Sequence, residues 1–299
     1  MFPAAAMEGK VPLLELTIPE DLPPMRLDKY LIRALPGLPA WAIREAFSRR
    51  DVKMDGIRVK ADVQALPGAK VLVYGVQDED AAVLDVVYED EHILLVNKPA
   101  GISVLEDAGG GATVEALALS HVRKEDPQAL PPKACHRLDN QTSGLLLLAK
   151  TNRAQELMTS AFKERSIKKS YTCLVKGTPK PREDTLQAFL LKDAMAAHVK
   201  ILDHSVPGAL PIRTGYRVLE AGGVCRLEVD LITGRTHQIR AHLAYIGHPI
   251  LGDDAYGDRA FNREQGVKRL MLCAASITLS GRDELAFLDG RTFTIHPPF

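Results

Sequence analysis

The chain has 299 residues, 46% hydrophobic and 25% charged, the balance of an ordinary water-soluble fold with room for one large domain or a large and a small one. Its 38 basic and 38 acidic side chains cancel, so net charge neither demands nor forbids a polyanionic partner. Apolar runs such as Leu145–Ala149 are far too short to cross a bilayer, and the four widely spaced cysteines carry neither a C-x-x-C pair nor zinc spacing.

Charge is unevenly distributed. Met25 to Gly75 holds ten Lys or Arg against five acids, and Lys133 to Lys176 holds nine against three. Between them, Gln77 to His92 holds seven acids and no Lys or Arg. Two basic segments in a neutral chain can line a positive groove. The first residues lack a basic flank followed by an apolar core, so no signal peptide is expected, and the cysteines fit a reduced, cytoplasmic setting.

Residues 1–24 are rich in Pro and Ala and read as a tail, with a candidate strand at Leu13–Ile18. Leu27, Tyr30, Leu31 and Ala34 share one helix face, Pro36-Gly37 ends that helix, and a second helix is predicted over Ala40–Ser48. Val52–Met54, Asp55-Gly56 and Arg58–Lys60 read as a β-hairpin, with a strand at Val71–Tyr74 after the Pro67-Gly68 turn. This module, 25–76, fits either an RNA-binding unit or an ordinary α+β domain with a solvated basic face. The acidic stretch 77–83 reads as a linker, and 84–299 as the larger domain. In it strands are predicted at Val83–Val87, Ile93–Val96, Leu145–Ala149, Tyr171–Val175 and Leu227–Leu231, with a helix at Arg153–Lys163 capped through Asn152 and Gln155. Strands rarely alternate strictly with helices, so a mixed α+β sheet is expected.

Two strings carry chemistry. Cys135-His136-Arg137-Leu138-Asp139-Asn140-Gln141-Thr142-Ser143-Gly144 crowds polar groups into a loop just ahead of a buried strand. Leu231-Ile232-Thr233-Gly234-Arg235-Thr236-His237-Gln238-Ile239-Arg240 closes a strand and opens a helix, whose N-terminus favours anions. Ordinary uses also fit: Asp139 as a turn residue, Arg235 and Arg240 in surface ion pairs, His136 and His237 as structural hydrogen-bonders.

His136–Asp139 with Thr142–Gly144, Tyr171–Gly177 and Thr233–Arg240 resemble the signature blocks of the RluA family of pseudouridine synthases. The resemblance extends to Val96–Gly101 upstream and Gly247–Asp253 downstream, five blocks in order over roughly residues 84 to 299. Arg26–Tyr74 resembles an S4 RNA-binding domain, although Asp51 stands where Gly is usual; Asn140-Gln141 and Cys273 also depart from the family pattern.

The resemblance implies an α+β protein, a small S4-like domain followed by a mixed, mainly antiparallel-sheet catalytic domain. It implies isomerisation of uridine in structured RNA, large-subunit rRNA before tRNA, with no cofactor and no metal. The partner is RNA, no membrane is involved, and the protein is expected to be a cytoplasmic monomer. Asp139 is implied as the nucleophile and Arg240 as its partner. Tyr171 is implied to stack on the target base and assist proton removal, and Arg137 to fill the space the base vacates. His136, Arg235 and Thr142 are implied to bind substrate, and Arg26, Lys29, Arg44, Arg49, Arg50 and Lys53 to bind RNA from the S4-like module. The rivals are an RNA-binding protein without catalysis and a glycosidase-like hydrolase. The latter requires two facing carboxylates, and no second acid stands in the three signature blocks.

Overall fold

Alternating apolar residues and a tight turn build the first sheet. The computed structural model describes residues 14–35, 40–74, 84–105, 113–193 and 198–299. Strand β1 (Leu14–Thr17) pairs antiparallel with β4 (Lys70–Val73), β4 with β2 (Val52–Met54), and β2 with β3 (Ile57–Arg58). The β2–β3 turn carries Asp55 at φ 47° and Gly56 at φ 78°, the paired left-handed conformation that matches strand twist. Because β1 is paired along its length and Ile18 is buried, residues 14–18 belong to this layer and are not a free tail.

Helices α1 (Leu27–Ala34) and α2 (Ala40–Ser48) complete the core of this sheet, with Leu27, Tyr30, Leu31, Ile43 and Phe47 buried against Val52, Val71 and Val73. Ala34 is exposed and Ile32 takes its expected place inside, since a larger side chain removes more apolar area from water. The expected linker, 77–83, lies outside the described residues. The chain divides into two compact units, Met1–Leu84 with Gly101–Ala129, and Asp85–Ala100 with Leu130–Phe299. The first also holds α3 (Val114–Val122), capped by Thr113, whose side chain accepts from the Ala116 N–H.

The second unit is built on an 11-stranded sheet. Its strands are β5 (Asp85–Glu89), β6 (Ile93–Lys98), β7 (Lys133–Ala134), β8 (Ser143–Ala149), β9 (Lys168–Lys176), β10 (Glu183–Lys192), β11 (Val199–Leu202), β12 (Leu210–Glu220), β13 (Val224–Leu231), β14 (Leu272–Thr278) and β15 (Thr292–Thr294). The order runs β11-β10-β12-β13-β9-β14-β8-β6-β5, with β15 on β14 and β7 on β8. All named pairs are antiparallel except β14–β8. The expected mixed, mainly antiparallel sheet is therefore observed.

Every residue of β8 is buried, as the apolar run predicted. Ile93, Leu95, Leu145 and Leu147 pack with Ala154, Leu157, Met158 and Ala161 of α4 (Asn152–Glu164). That helix is capped one residue earlier than expected: Thr151 accepts from the Ala154 N–H, and Asn152 is the first helical residue. At Gly144 (φ 116°) a Cβ would lie 2.4 Å from the Ala274 carbonyl oxygen, so only glycine lets β14 approach β8 in parallel register.

Candidate active site

The segment 135–142 leaves β7 and must return at once to buried β8, which holds it at the sheet edge. Leu138 is buried beneath it, and the Thr142 N–H donates to the Asp139 carbonyl at 3.0 Å, closing a turn. Under the turn sits Lys98, at the end of β6 and fully buried. Its Nζ donates to the carbonyls of Pro99 at 2.9 Å and Asn140 at 3.0 Å. Burial pulls the Lys98 pKa down to about 7, against the opposing charge of Asp139. Lys98 thus ties the Asp139 turn to the sheet, a role unassigned in its sequence block.

Facing this turn is the N-terminus of α5 (Gln238–Tyr245), with the expected Ile239 and Leu243 buried and Ile246 half-buried. Buried Gln238 fastens the segment before it: its Oε1 accepts from the Thr233 hydroxyl and the Arg235 N–H, and its Nε2 donates to the Arg213 carbonyl and the Thr214 hydroxyl. His242, one turn on, shares Thr214 at 2.9 Å, and burial pulls its pKa down to about 4.

Arg240 is expected to hold Asp139; the two do pair, but Asp253 takes the larger share of the guanidinium. Its Nε and Nη2 donate bidentately to Asp253, at 2.7 and 2.9 Å, and Nη2 also reaches Asp254 at 3.2 Å. Only Nη1 faces Asp139, at 3.5 Å from Oδ2. A buried guanidinium needs a buried carboxylate, and Asp253, fully covered, also accepts the N–H groups of Ala255 and Tyr256. Burial opposes ionisation of both partners, yet their pairing leaves Arg240 raised and Asp253 lowered in pKa. Further acids do stand at the site, then: Asp253 is fully engaged, Asp254 reaches Arg240 from an exposed position, and Asp230 lines the cavity that Asp139 opens into.

Asp139 keeps 21% of its side chain exposed. It opens into a cavity of about 880 Å³, also lined by Arg137, His136, Thr142, Tyr171, Arg235 and Arg240. The volume falls within the roughly 300–1,000 Å³ of ordinary ligand pockets. All the site residues expected in the larger domain therefore converge. Their surroundings differ. Arg137 and Arg235 are exposed at the cavity, whereas Thr142 is buried. His136 Nε2 accepts from the Leu147 N–H at 3.1 Å and its ring lies 4.4 Å from that of Phe162. Burial and then Lys169 hold its pKa well below the usual histidine range, so it braces β8 as a neutral ring.

Tyr171 is buried in β9, and burial, then the charge of Asp139, raises its phenol pKa. A further cationic wall comes from Lys163, Arg165, Lys168 and Lys169. Lys169 sits over the Phe162 ring at 5.2 Å, with a pKa drawn down to about 8 by burial. The basic residues expected on the N-terminal module belong to the other unit. There Arg26 donates twice to Asp28, Lys53 lies over the Tyr74 ring, Arg44, Arg49 and Arg50 are exposed, and Lys29 is half-buried.

Residues missed by sequence reasoning are Asp253, Tyr256, Lys98 and Lys169, together with a part for His237. The signal for Asp253 was available: an arginine on a buried helix face implies a carboxylate, and Asp253 closes a quoted block.

The sequence profile described as RNA pseudouridylate synthase matches residues 92–245. This chain belongs to the RNA pseudouridylate synthase family. It is 34% identical to the "Ribosomal large subunit pseudouridine synthase C" of Vibrio parahaemolyticus over 279 residues, 87% of this chain and 86% of that one. It is 33% identical to the protein of the same name from Escherichia coli K12 over 292 residues, 91% of this chain and 90% of that one. Among solved structures, human RNA Pseudouridylate Synthase Domain Containing 1 is similar at 28% identity, with a TM-score of 0.54 over 65% of this chain and 77% of that one. Human RNA Pseudouridylate Synthase Domain Containing 4, 21% identical, shares the fold with a TM-score of 0.59 over 72% of this chain and 88% of that one. As a pseudouridine synthase, the protein is an isomerase that converts uridine to pseudouridine in RNA. Among the described residues no helix is long and apolar enough to cross a membrane, and the four cysteines are free and buried.

Proposed function

We propose that this pseudouridine synthase acts on large-subunit ribosomal RNA and that Asp139 is its nucleophile. The observation that carries the reading is the unequal sharing of Arg240: Asp253 takes two of its nitrogens, leaving Asp139 a partly exposed carboxylate with a single loose guanidinium contact. A carboxylate so placed has lone pairs free for attack. The name carried by the Vibrio and Escherichia relatives supports the choice of RNA.

The target uridine leaves its stack and enters the cavity, and Asp139 attacks either the ribose C1′ or the uracil ring. The C1′–N1 bond breaks, the base turns, and a C1′–C5 bond forms as the bond to Asp139 breaks and the carboxylate is returned. The C5 proton is then lost and N1 regains one, so atoms and electrons balance within one nucleotide and no cofactor is required. Tyr171, held neutral by burial, suits stacking on the base better than accepting the C5 proton. Arg137, exposed two residues before Asp139, is free to fill the vacated position. Arg235 with Lys163, Arg165, Lys168 and Lys169 supplies positive charge for flanking phosphates. Residues 25–76 contribute affinity for structured RNA as an S4-like module, their surplus of positive charge serving binding rather than chemistry.

The test uses purified protein with protein-free large-subunit rRNA and with tRNA, and maps the pseudouridines formed. Wild type should modify the rRNA, and folded Asp139→Asn should be slower by at least ~10⁴-fold. Product confined to tRNA would move the substrate assignment, and near-normal turnover by Asp139→Asn would remove Asp139 as nucleophile.

A further inference from the structure

His237 stands one helical turn before Arg240 and takes the left-handed conformation (φ 54°, ψ 15°) unusual for a residue with a β-carbon. It occupies the N-cap of α5, yet its side chain makes no capping hydrogen bond. Residues held in such backbone positions without a local return mark functional sites. The imidazole instead spans two partners: Nδ1 lies 3.0 Å from the Tyr256 hydroxyl, and Nε2 lies 3.8 Å from Asp139 Oδ2.

The proton positions along this chain follow from which partners can accept. The Val199 backbone N–H can only donate, and it donates to the Tyr256 oxygen at 2.9 Å. Among the described residues at this hydroxyl, His237 Nδ1 is the atom able to accept the Tyr256 proton, and the arrangement proposed below has it do so. A neutral His237 then carries its proton on Nε2, the nitrogen facing Asp139. Tyr256 keeps that proton because burial raises its pKa. His237 stays neutral because burial, and after it Arg240 and His198, outweigh Asp139 and Asp253 and lower its pKa. The ring is also fixed in orientation, edge-on to Tyr256 at 5.7 Å, while Arg240 covers the Tyr256 face at 5.4 Å.

We propose that His237 is a positioning residue for the isomerisation, and that Tyr256, itself oriented by the Val199 amide, locks its tautomer so that Nε2–H is presented to the Asp139 carboxylate. Arg240 Nη1 and His237 Nε2 both approach Oδ2, so the second carboxylate oxygen is left for attack. A separation of 3.8 Å exceeds a hydrogen bond, and catalytic contacts of this kind commonly tighten only when substrate is bound. The inference rests on the reading of Asp139 as nucleophile.

The test compares His237→Gln with His237→Asn in single-turnover reactions with saturating enzyme, with folded Asp139→Asn as the inactive reference. The glutamine amide reaches the Nε2 position and restores a donor toward Asp139, whereas the asparagine amide reaches only the Nδ1 position. Asparagine tolerates the left-handed backbone better, so a purely structural role predicts the asparagine variant to be the better protein and the better enzyme. The proposal predicts the reverse order of rates: Gln above Asn by about tenfold or more, the effect of one hydrogen bond to a charged group, even where Asn melts higher. Tyr256→Phe keeps the ring and removes the lock, and should also slow the step by about tenfold. In nitrogen NMR of the wild type, His237 should show a protonated Nε2 and a bare Nδ1.

Asparagine equal to or faster than glutamine, or the opposite tautomer, would overturn the proposal while Asp139→Asn remained inactive. An active Asp139→Asn would instead remove the reading of Asp139 itself. If neither His237 variant folds, the Tyr256→Phe rate and the NMR tautomer decide alone.

Discussion

Arg240 distributes its guanidinium among three carboxylates, and this division is the main energetic fact of the site. Asp253 receives the two strong, buried bonds, Asp254 a contact made by an exposed side chain, and Asp139 the loosest. Asp253 therefore holds the arginine back from Asp139. Asp253→Asn should weaken the fold by about 3 kcal/mol, since breaking a buried pair leaves a charge uncompensated. It should also free Arg240 to close on Asp139, neutralise it and displace it, slowing turnover by ~10²-fold or more. Denaturant unfolding and single-turnover rates measure the two effects. A variant with normal rate and normal stability would show that Asp253 is dispensable.

At the level of single elements, α4 ends in a Schellman motif: the Ser166 N–H bonds to Ala161 and the Arg165 N–H to Phe162, with Arg165 left-handed at φ 59° where glycine is usual. The strained residue is also one that lines the cavity. Arg165→Gly should therefore raise stability by about 0.5–1 kcal/mol, relief of strain exceeding the added freedom of the unfolded chain. The same change should weaken RNA binding and flatten its salt dependence by about one unit of slope. Unchanged affinity and slope would place Arg165 off the RNA path.

Elements with a strong local pattern were legible in the sequence. The apolar run of β8, the helical spacing of α4 and the Asp55-Gly56 hairpin each carry their own signal. Strands β10 and β12 were missed because they alternate imperfectly, β10 opening on the exposed run Glu183–Thr185 and β12 burying three residues in succession at Thr214–Tyr216. Asp139, Arg240 and Tyr171 were reachable through motifs. The Tyr256–His237 chain was not, because it depends on a backbone amide of β11, a strand with no clear pattern of its own.

For the molecule as a whole, buried neutral histidines make stability depend on acidity. His242 is 1% exposed, with a folded pKa of about 4 against 6.5 in the unfolded chain. The unfolded state binds the proton first, so stability is greatest above about pH 6.5 and is lost as pH falls toward about 4. The loss approaches ~1.4 kcal/mol per pH unit, on the order of 3 kcal/mol in total. His136 shifts in the same direction and adds to the slope. Urea unfolding at about pH 7.5 and about pH 5 should show wild type losing on the order of 2 kcal/mol that His242→Gln does not lose. A difference between the two proteins that stayed constant with pH would rule this out.

The parallel register of β14 against β8 also has a temporal side. Ser143 and Leu272, joined by a hydrogen bond, are 129 residues apart, and β14 lies between β8 and β9 although both are synthesised long before it. During translation, the strand following the Asp139 turn and the strand bearing Tyr171 emerge with a gap between them that no earlier segment fills. Their unpaired edges are open to chaperones or to wrong partners until Leu272–Thr278 arrives. A nascent chain still tethered to a ribosome, and surrounded by ribosomal RNA, has no assembled cavity until then, so synthesis must pass β14 before the enzyme can act on anything near it.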